Sequence, residues 1–156
     1  MNKIGVGQVA PDFTLPSTQG DFSLSAQRGK NVMLYFYSRD NTSGCTNEAV
    51  DFNERLAQFQ QGETLVVGVS KDTLTSHEKF AAKYNLQFPL LSDPELAVLQ
   101  QYQVYKEKKL YGKVSMGVVR TTFVIDKEGI IREIFNNVKV KGHVEKVLQF
   151  VQENLA

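Results

Sequence analysis

The 156-residue chain carries 18 Lys and Arg against 17 Asp and Glu, a formal net charge of +1, with 42% hydrophobic and 22% charged residues. That length suits one compact domain over residues 1–156, and the charge balance excludes a strong pull toward nucleic acid or an acidic membrane. No stretch approaches the ~20 apolar residues of a membrane span, and the start, MNKIGVGQVAPDF, lacks the apolar core of a signal peptide, so a soluble, cytoplasmic protein is expected.

In chain order, Phe13, Leu15, Phe22 and Leu24 suggest a small N-terminal hairpin. Val32 to Ser38 (VMLYFYS) is a short apolar and aromatic run, the pattern of a buried strand. Gly44 to Gln60 reads as one helix, with Ala49, Phe52, Leu56 and Phe59 on one face and Gly62 at its end. Thr64 to Ser70 (TLVVGVS) is a second buried strand. Leu74 to Tyr84 is helical, with Phe80, Ala81 and Tyr84 on one side. Pro89 and Pro94 bracket a short extended piece, and Pro94 is expected to open a helix that runs to about Tyr102. Thr121 to Asp126 and Ile130 to Phe135 form two strands around a turn with Gly129. His143 to Asn154 closes the chain as a helix, with Val144, Val147, Leu148 and Val151 facing inward. Two βα units, a hairpin and a helix make a thioredoxin-like α/β plan: a central mixed sheet flanked by helices, with an N-terminal hairpin extension.

The chain has one cysteine and two histidines. An internal disulfide and a cysteine-based zinc cluster are therefore excluded. His77 and His143 lack metal-ligand spacing and read as surface or helix-face histidines; no metal and no cofactor is expected. The setting of Cys45 is more informative. In YFYSRDNTSGCTNEAVDF a buried strand ends at Ser38, a polar loop follows, and a helix begins near Cys45. Such a loop lies at the carboxyl end of a strand, where open α/β sheets place their sites. Unpaired N–H groups and the positive end of the helix dipole there favour a thiolate. Glu48 lies on the same helix face, three residues on. Lowering a thiol pKa from ~8.5 to ~6 raises the thiolate fraction at pH 7 from ~3% to ~90%. That is about thirtyfold, or ~2 kcal/mol of barrier.

The sequence here resembles the bacterioferritin comigratory protein class of peroxiredoxins, also called PrxQ, from about Val9 to Val151. Besides the cysteine stretch, the resemblance is carried by SKDTLTSHEKFAAKYNLQFPLLSDP, by VYKEKKLYGKVSMGVVRTTFVID and by VKVKGHVEKVL. It implies a thiol-dependent peroxidase that reduces hydrogen peroxide and organic hydroperoxides through a sulfenic acid on Cys45. It makes Thr42 the hydroxyl that contacts peroxide, Arg120 the group that stabilises thiolate and transition state, and Glu48 the carboxylate that holds Arg120. The backbone N–H groups of Gly44 and Cys45 would add donors. Because such members outpace a free thiolate by far more than thirtyfold, most of the catalysis is expected from positioning and charge stabilisation.

Two departures stand out. Serines occupy positions 38 and 43, where the class usually has proline, and Ser38 leaves the loop softer and more polar. Many members carry a resolving cysteine five residues after the first; here that residue is Val50. The match is to the one-cysteine form, reset by an external thiol, whether glutathione with glutaredoxin or thioredoxin, and working as a monomer or weak dimer. The basic run Lys106, Lys108, Lys109 and Lys113 reads as a solvated face. A redox sensor or a non-catalytic thioredoxin-fold binding protein is the alternative. A thioredoxin-type reductase is disfavoured, since there is no C-x-x-C.

Overall fold

The computed structural model describes residues 4–110 and 112–155. A two-stranded antiparallel hairpin comes first, β1 (Thr14–Leu15) with β2 (Phe22–Ser23), followed by a 3-10 turn over Leu24–Gln27. The central sheet is built from β3 (Asn31–Phe36), β4 (Thr64–Ser70), β5 (Leu90–Ser92), β8 (Thr121–Ile125) and β9 (Ile131–Phe135). Their spatial order is β5-β4-β3-β8-β9. β3, β4 and β5 run parallel, while β8 and β9 are antiparallel to their neighbours, so the sheet is mixed.

Period-two alternation divides the core between the sheet's two faces. On β3, Val32, Leu34 and Phe36 join Phe13, Phe22, Leu24, Val98, Leu99 and Tyr102 on one side. Met33, Tyr35 and Tyr37 point the other way, toward Phe52, Phe59, Phe80, Val147 and Val151. Those last residues come from α1 (Ser43–Glu54), α2 (Leu56–Gln61), α3 (Leu74–Tyr84) and α5 (His143–Asn154), while α4 (Ala97–Gln101) covers the first side. Gly68 on β4 faces the ring of Tyr35; a Cβ there would come within 2.9 Å of it. This is the thioredoxin-like plan with its N-terminal hairpin, and it centres β3 with the start of α1 directly beyond its carboxyl end.

Four expectations are corrected. The helix expected from Gly44 to Gln60 is two helices, broken where Arg55 leaves helical geometry (φ −106°, ψ 12°). Pro94 does not open α4: Leu96 stands between them in the left-handed region (φ 66°), and the helix begins at Ala97. The basic run lies on a hairpin that was not expected, β6 (Tyr105–Leu110) with β7 (Lys113–Val118). Lys106 and Lys113 are exposed there, as a solvated face requires, and the side chains of Lys108 and Lys109 lie outside the described residues. His77 and His143, read as surface or helix-face histidines, do lie on helices but are both buried, at 0% and 4% exposure. Each is held by a polar partner inside the fold, which removes the usual penalty of burying imidazole.

Candidate active site

β3 ends at Phe36, a loop carries Ser38 to Asn41, and Thr42 caps α1 with extended backbone (φ −81°, ψ 151°). The first bond of the helix runs from Thr46 N–H to the Thr42 carbonyl at 2.9 Å. The N–H groups of Ser43, Gly44 and Cys45 thus fall within the first turn, where a helix has no carbonyl of its own to offer them. Cys45 is 1% exposed, packed in the same cluster as Tyr35, Ala49 and Phe52. Thr42 donates its hydroxyl to the Arg39 carbonyl at 2.9 Å, and its oxygen accepts no capping bond from the helix N–H groups among the described residues.

Arg120, immediately before β8, brings its fork to this point from 75 residues away. Nη2 lies 3.1 Å from Cys45 Sγ, and Nη1 lies 2.6 Å from Glu48 Oε1. The site residues expected from the sequence are therefore brought together: Cys45, Arg120 and Glu48 by direct contact, Gly44 and Thr42 by adjacency. Gly44 has a steric part as well. A Cβ at this residue would stand 3.3 Å from Arg120 Nη2, so glycine gives the guanidinium room to reach sulfur. Ser38 is half-buried and lines a cleft of about 240 Å³ with Arg39, Thr42, Lys71, Gly117 and Val118.

One cation here serves two acidic groups. Burial drives the Glu48 carboxyl up to about 7, against the opposing pull of Arg120. Glu48 is 0% exposed and its Oε2 has no hydrogen-bond partner among the described residues. Burial also lowers the basicity of Arg120, but the charges on Glu48 and Cys45 more than restore it.

Sequence reasoning missed the next layer. His143, at the start of α5, meets Thr122 Oγ1 at 2.9 Å through Nε2, and the same nitrogen lies 3.9 Å from Glu48 Oε2. Burial, with Arg120 and Lys146 adding to it, pushes His143 down to about 4. On the other flank, Asp40, Asp72 and His77 gather their ligand-type atoms within 4.8 Å. Both Asp40 oxygens, Asp72 Oδ2 and both His77 ring nitrogens are engaged in hydrogen bonds inside the protein. A signal for both histidines was present: His77 leads Phe80, Ala81 and Tyr84 at spacings of three, four and seven, and His143 precedes Val147 by four.

Residues 6–134 match the model of the AhpC/TSA family. Peroxiredoxin Bcp of Bacillus subtilis is 43% identical over 151 residues, covering 96% of each chain. Among solved structures, PrxQ of Xylella fastidiosa superposes with a TM-score of 0.93 at 34% identity over 100% of each chain. The bacterioferritin comigratory protein of Xanthomonas campestris gives 0.88 at 36% identity over 92% of each. With both sequence and fold matched along nearly its whole length, the chain belongs to the AhpC/TSA family, as a peroxiredoxin of the bacterioferritin comigratory protein, or PrxQ, type.

Proposed function

We propose that this peroxiredoxin reduces hydrogen peroxide and organic hydroperoxides through its single cysteine and is reset by a thiol from outside the chain. The supporting observation is the 3.1 Å approach of Arg120 Nη2 to the buried Sγ of Cys45. In the first step the thiolate forms an S–O bond to the terminal peroxide oxygen and the O–O bond breaks. The departing alkoxide, or hydroxide, takes the peroxide's hydroxyl proton and leaves as alcohol or water, while sulfur is oxidised to sulfenate. Arg120 and the first-turn N–H groups are aimed at the charge that spreads over sulfur and oxygen. Thr42, its own proton given to Arg39, offers lone pairs to the peroxide O–H. Alkyl peroxide reduction is the activity described for the Xanthomonas campestris relative.

The sulfenic acid then meets an external thiol, giving a mixed disulfide at Cys45 and water. A second thiol releases Cys45 as thiol and leaves as the disulfide. Val50 fits this scheme, because α1 continues unbroken through it to Glu54. Cα atoms five residues apart on a helix lie roughly 8–9 Å from each other, beyond the ~7 Å a disulfide spans. A resolving cysteine at that position would require the helix to unwind; valine does not.

The charge balance and the want of any helix long and apolar enough to cross a membrane among the described residues fit a cytoplasmic enzyme. The test is steady-state turnover of hydrogen peroxide and an alkyl hydroperoxide with excess glutathione, or with thioredoxin and its reductase. Catalytic turnover that disappears in Cys45→Ser is expected. Consumption of one equivalent and no more with every reductant would make the protein a stoichiometric sensor instead.

A further inference from the structure

Behind the Cys45 loop lies a second polar group that the chemistry above does not use. The carboxylate of Asp40 is buried although its neighbours Arg39 and Asn41 are exposed. Tyr37 donates its hydroxyl to Oδ1 at 2.7 Å, Ser76 donates to Oδ2 at 2.8 Å, and His77 Nδ1 meets Oδ2 at 2.7 Å. His77 Nε2 faces the Leu91 carbonyl at 2.9 Å, an atom that can only accept, so Nε2 carries a proton. Burial raises the Asp40 carboxyl, but its bonds with His77, Tyr37 and Ser76 outweigh burial and hold it below the usual range. Asp72 completes the group. Its Oδ2 accepts the Asp40 N–H at 2.8 Å and the Ser70 hydroxyl at 2.6 Å, and its carbonyl accepts the Ser92 hydroxyl. The chain just past β3, the end of β4 and the end of β5 are thus tied together at their carboxyl ends.

One peptide plane links this group to the thiol loop. The Asp40 N–H and the Arg39 carbonyl belong to the same rigid amide. Asp72 holds the N–H side of that plane, and the Thr42 hydroxyl bonds the carbonyl side. Whatever turns the plane turns the Thr42 hydroxyl. A buried acid–imidazole pair is a poor stabiliser beside apolar side chains of equal volume, so its presence here points to geometry. We infer that Asp72, Asp40 and His77 are positioning residues that clamp the Arg39–Asp40 peptide and so aim Thr42 at the peroxide, acting through the loop and not on the sulfur.

The inference rests on the peroxidase reading, and the experiment separates the two. Peroxide kcat/KM, the pH dependence of Cys45 alkylation by iodoacetamide, and hydrogen exchange of residues 38–44 are measured on wild type, Asp72→Ala, Asp72→Asn, Ser76→Ala and Asp40→Asn. Asp72→Ala should lower kcat/KM about tenfold to a hundredfold, the scale of a misplaced contact. Asp72→Asn keeps an accepting oxygen and should recover most of that loss. The alkylation profile should not move in either, and exchange of residues 38–44 should quicken in Asp72→Ala. If Asp40→Asn does not fold, Ser76→Ala removes a single donor and should show a smaller loss of the same kind. A folded Asp72→Ala protein with kcat/KM within about twofold of wild type would overturn the inference. So would an alkylation profile that shifts in step with the rate, since the group would then act on the thiol. If wild type itself turns over no peroxide, the peroxidase reading fails; exchange alone then decides the clamp, and unchanged exchange in Asp72→Ala rejects it.

Discussion

Glu48 and Asp40 are both buried acids at the carboxyl end of the sheet, each beside one nitrogen-bearing partner, Arg120 or His77. Burial pushes both carboxyls up, yet the net directions differ: Glu48 rises to about 7, while Asp40 is held below the usual carboxylate range. The difference lies in how many donors each receives. Asp40 accepts from Tyr37, Ser76 and His77, so both of its oxygens are satisfied. Among the described residues Glu48 accepts from Arg120 alone, and its second oxygen has no hydrogen-bond partner. A full set of donors replaces the water that burial removes; a single strong pair does not. The donors around Asp40 therefore favour its ionised form, while burial holds Glu48 near 7 as Arg120 is shared with sulfur.

Replacing Arg120, the one donor to Glu48 among the described residues, should have the largest effect. In Arg120→Lys a point charge replaces a fork, and Sγ and Oε1 cannot both be met as well. Peroxide kcat/KM should fall about 10²–10³-fold, the usual loss on removing a transition-state donor. Stopped-flow assays at pH 9, where even an ordinary thiol is mostly ionised, should still show the deficit. Full recovery there would reduce Arg120 to a counter-charge for the thiol.

The two acids can be set against each other by neutralising each in turn. Asp40→Asn breaks a fully satisfied pair and should cost about 3–5 kcal/mol of unfolding free energy in urea at pH 7. Glu48→Gln replaces a group already half protonated at that pH and should cost under about 1 kcal/mol. Equal losses would dissolve the distinction drawn here.

pH sharpens the comparison at the front. The folded-state pKa of Glu48 is raised from 4.5, so its contribution to stability is whole below pH 4.5 and is lost as pH rises through about 7. His143 is lowered from 6.5, so it binds fewer protons when folded; its contribution is present above pH 6.5 and lost as pH falls through about 4. Each amounts to about 3 kcal/mol across its window, and the two slopes oppose. Melting curves from pH 4 to 7 should show His143→Gln losing stability relative to wild type as pH rises. Glu48→Gln should show the reverse. Parallel curves for all three proteins would contradict both shifts.

Gly44→Ala should give the smallest effect. Alanine is favoured over glycine in a helix by up to about 1 kcal/mol, so the melting temperature should hold or rise. The new Cβ presses on Arg120 Nη2 from 3.3 Å, and kcat/KM should fall about threefold as the donor is displaced. An unchanged rate would mean that the guanidinium has room to spare.

Much of this was legible in the residues. The apolar runs of β3, β4 and β8 and the helix start at Cys45 declare themselves, because burial on two faces and a polar strand-to-helix loop leave a pattern in adjacent residues. Arg120 does not: only the family resemblance joins it to a cysteine 75 positions earlier. The hairpin of β6 and β7 escaped because its first strand, YKEKKL, has no apolar face to alternate. The histidines were misread for a different reason. An imidazole at the head of an apolar stripe looks exposed until its partner is known, and Asp40 and Thr122 lie 37 and 21 residues away. Position 96 misled through Pro94, whose helix-starting tendency yielded to a left-handed leucine.

The unbroken run of α1 past Val50 has a consequence in kinetic terms. A resolving cysteine on the same chain acts at a fixed effective concentration, commonly millimolar, so its competition with a second peroxide does not depend on surroundings. In the one-cysteine scheme proposed above, the competing thiol arrives by collision. The fate of each sulfenic acid is then a partition between reduction, proportional to free thiol, and oxidation to sulfinic acid, proportional to peroxide. The number of turnovers before inactivation should follow the ratio of those two concentrations. Under that scheme the enzyme's working life is a running measure of how much thiol its surroundings hold against peroxide.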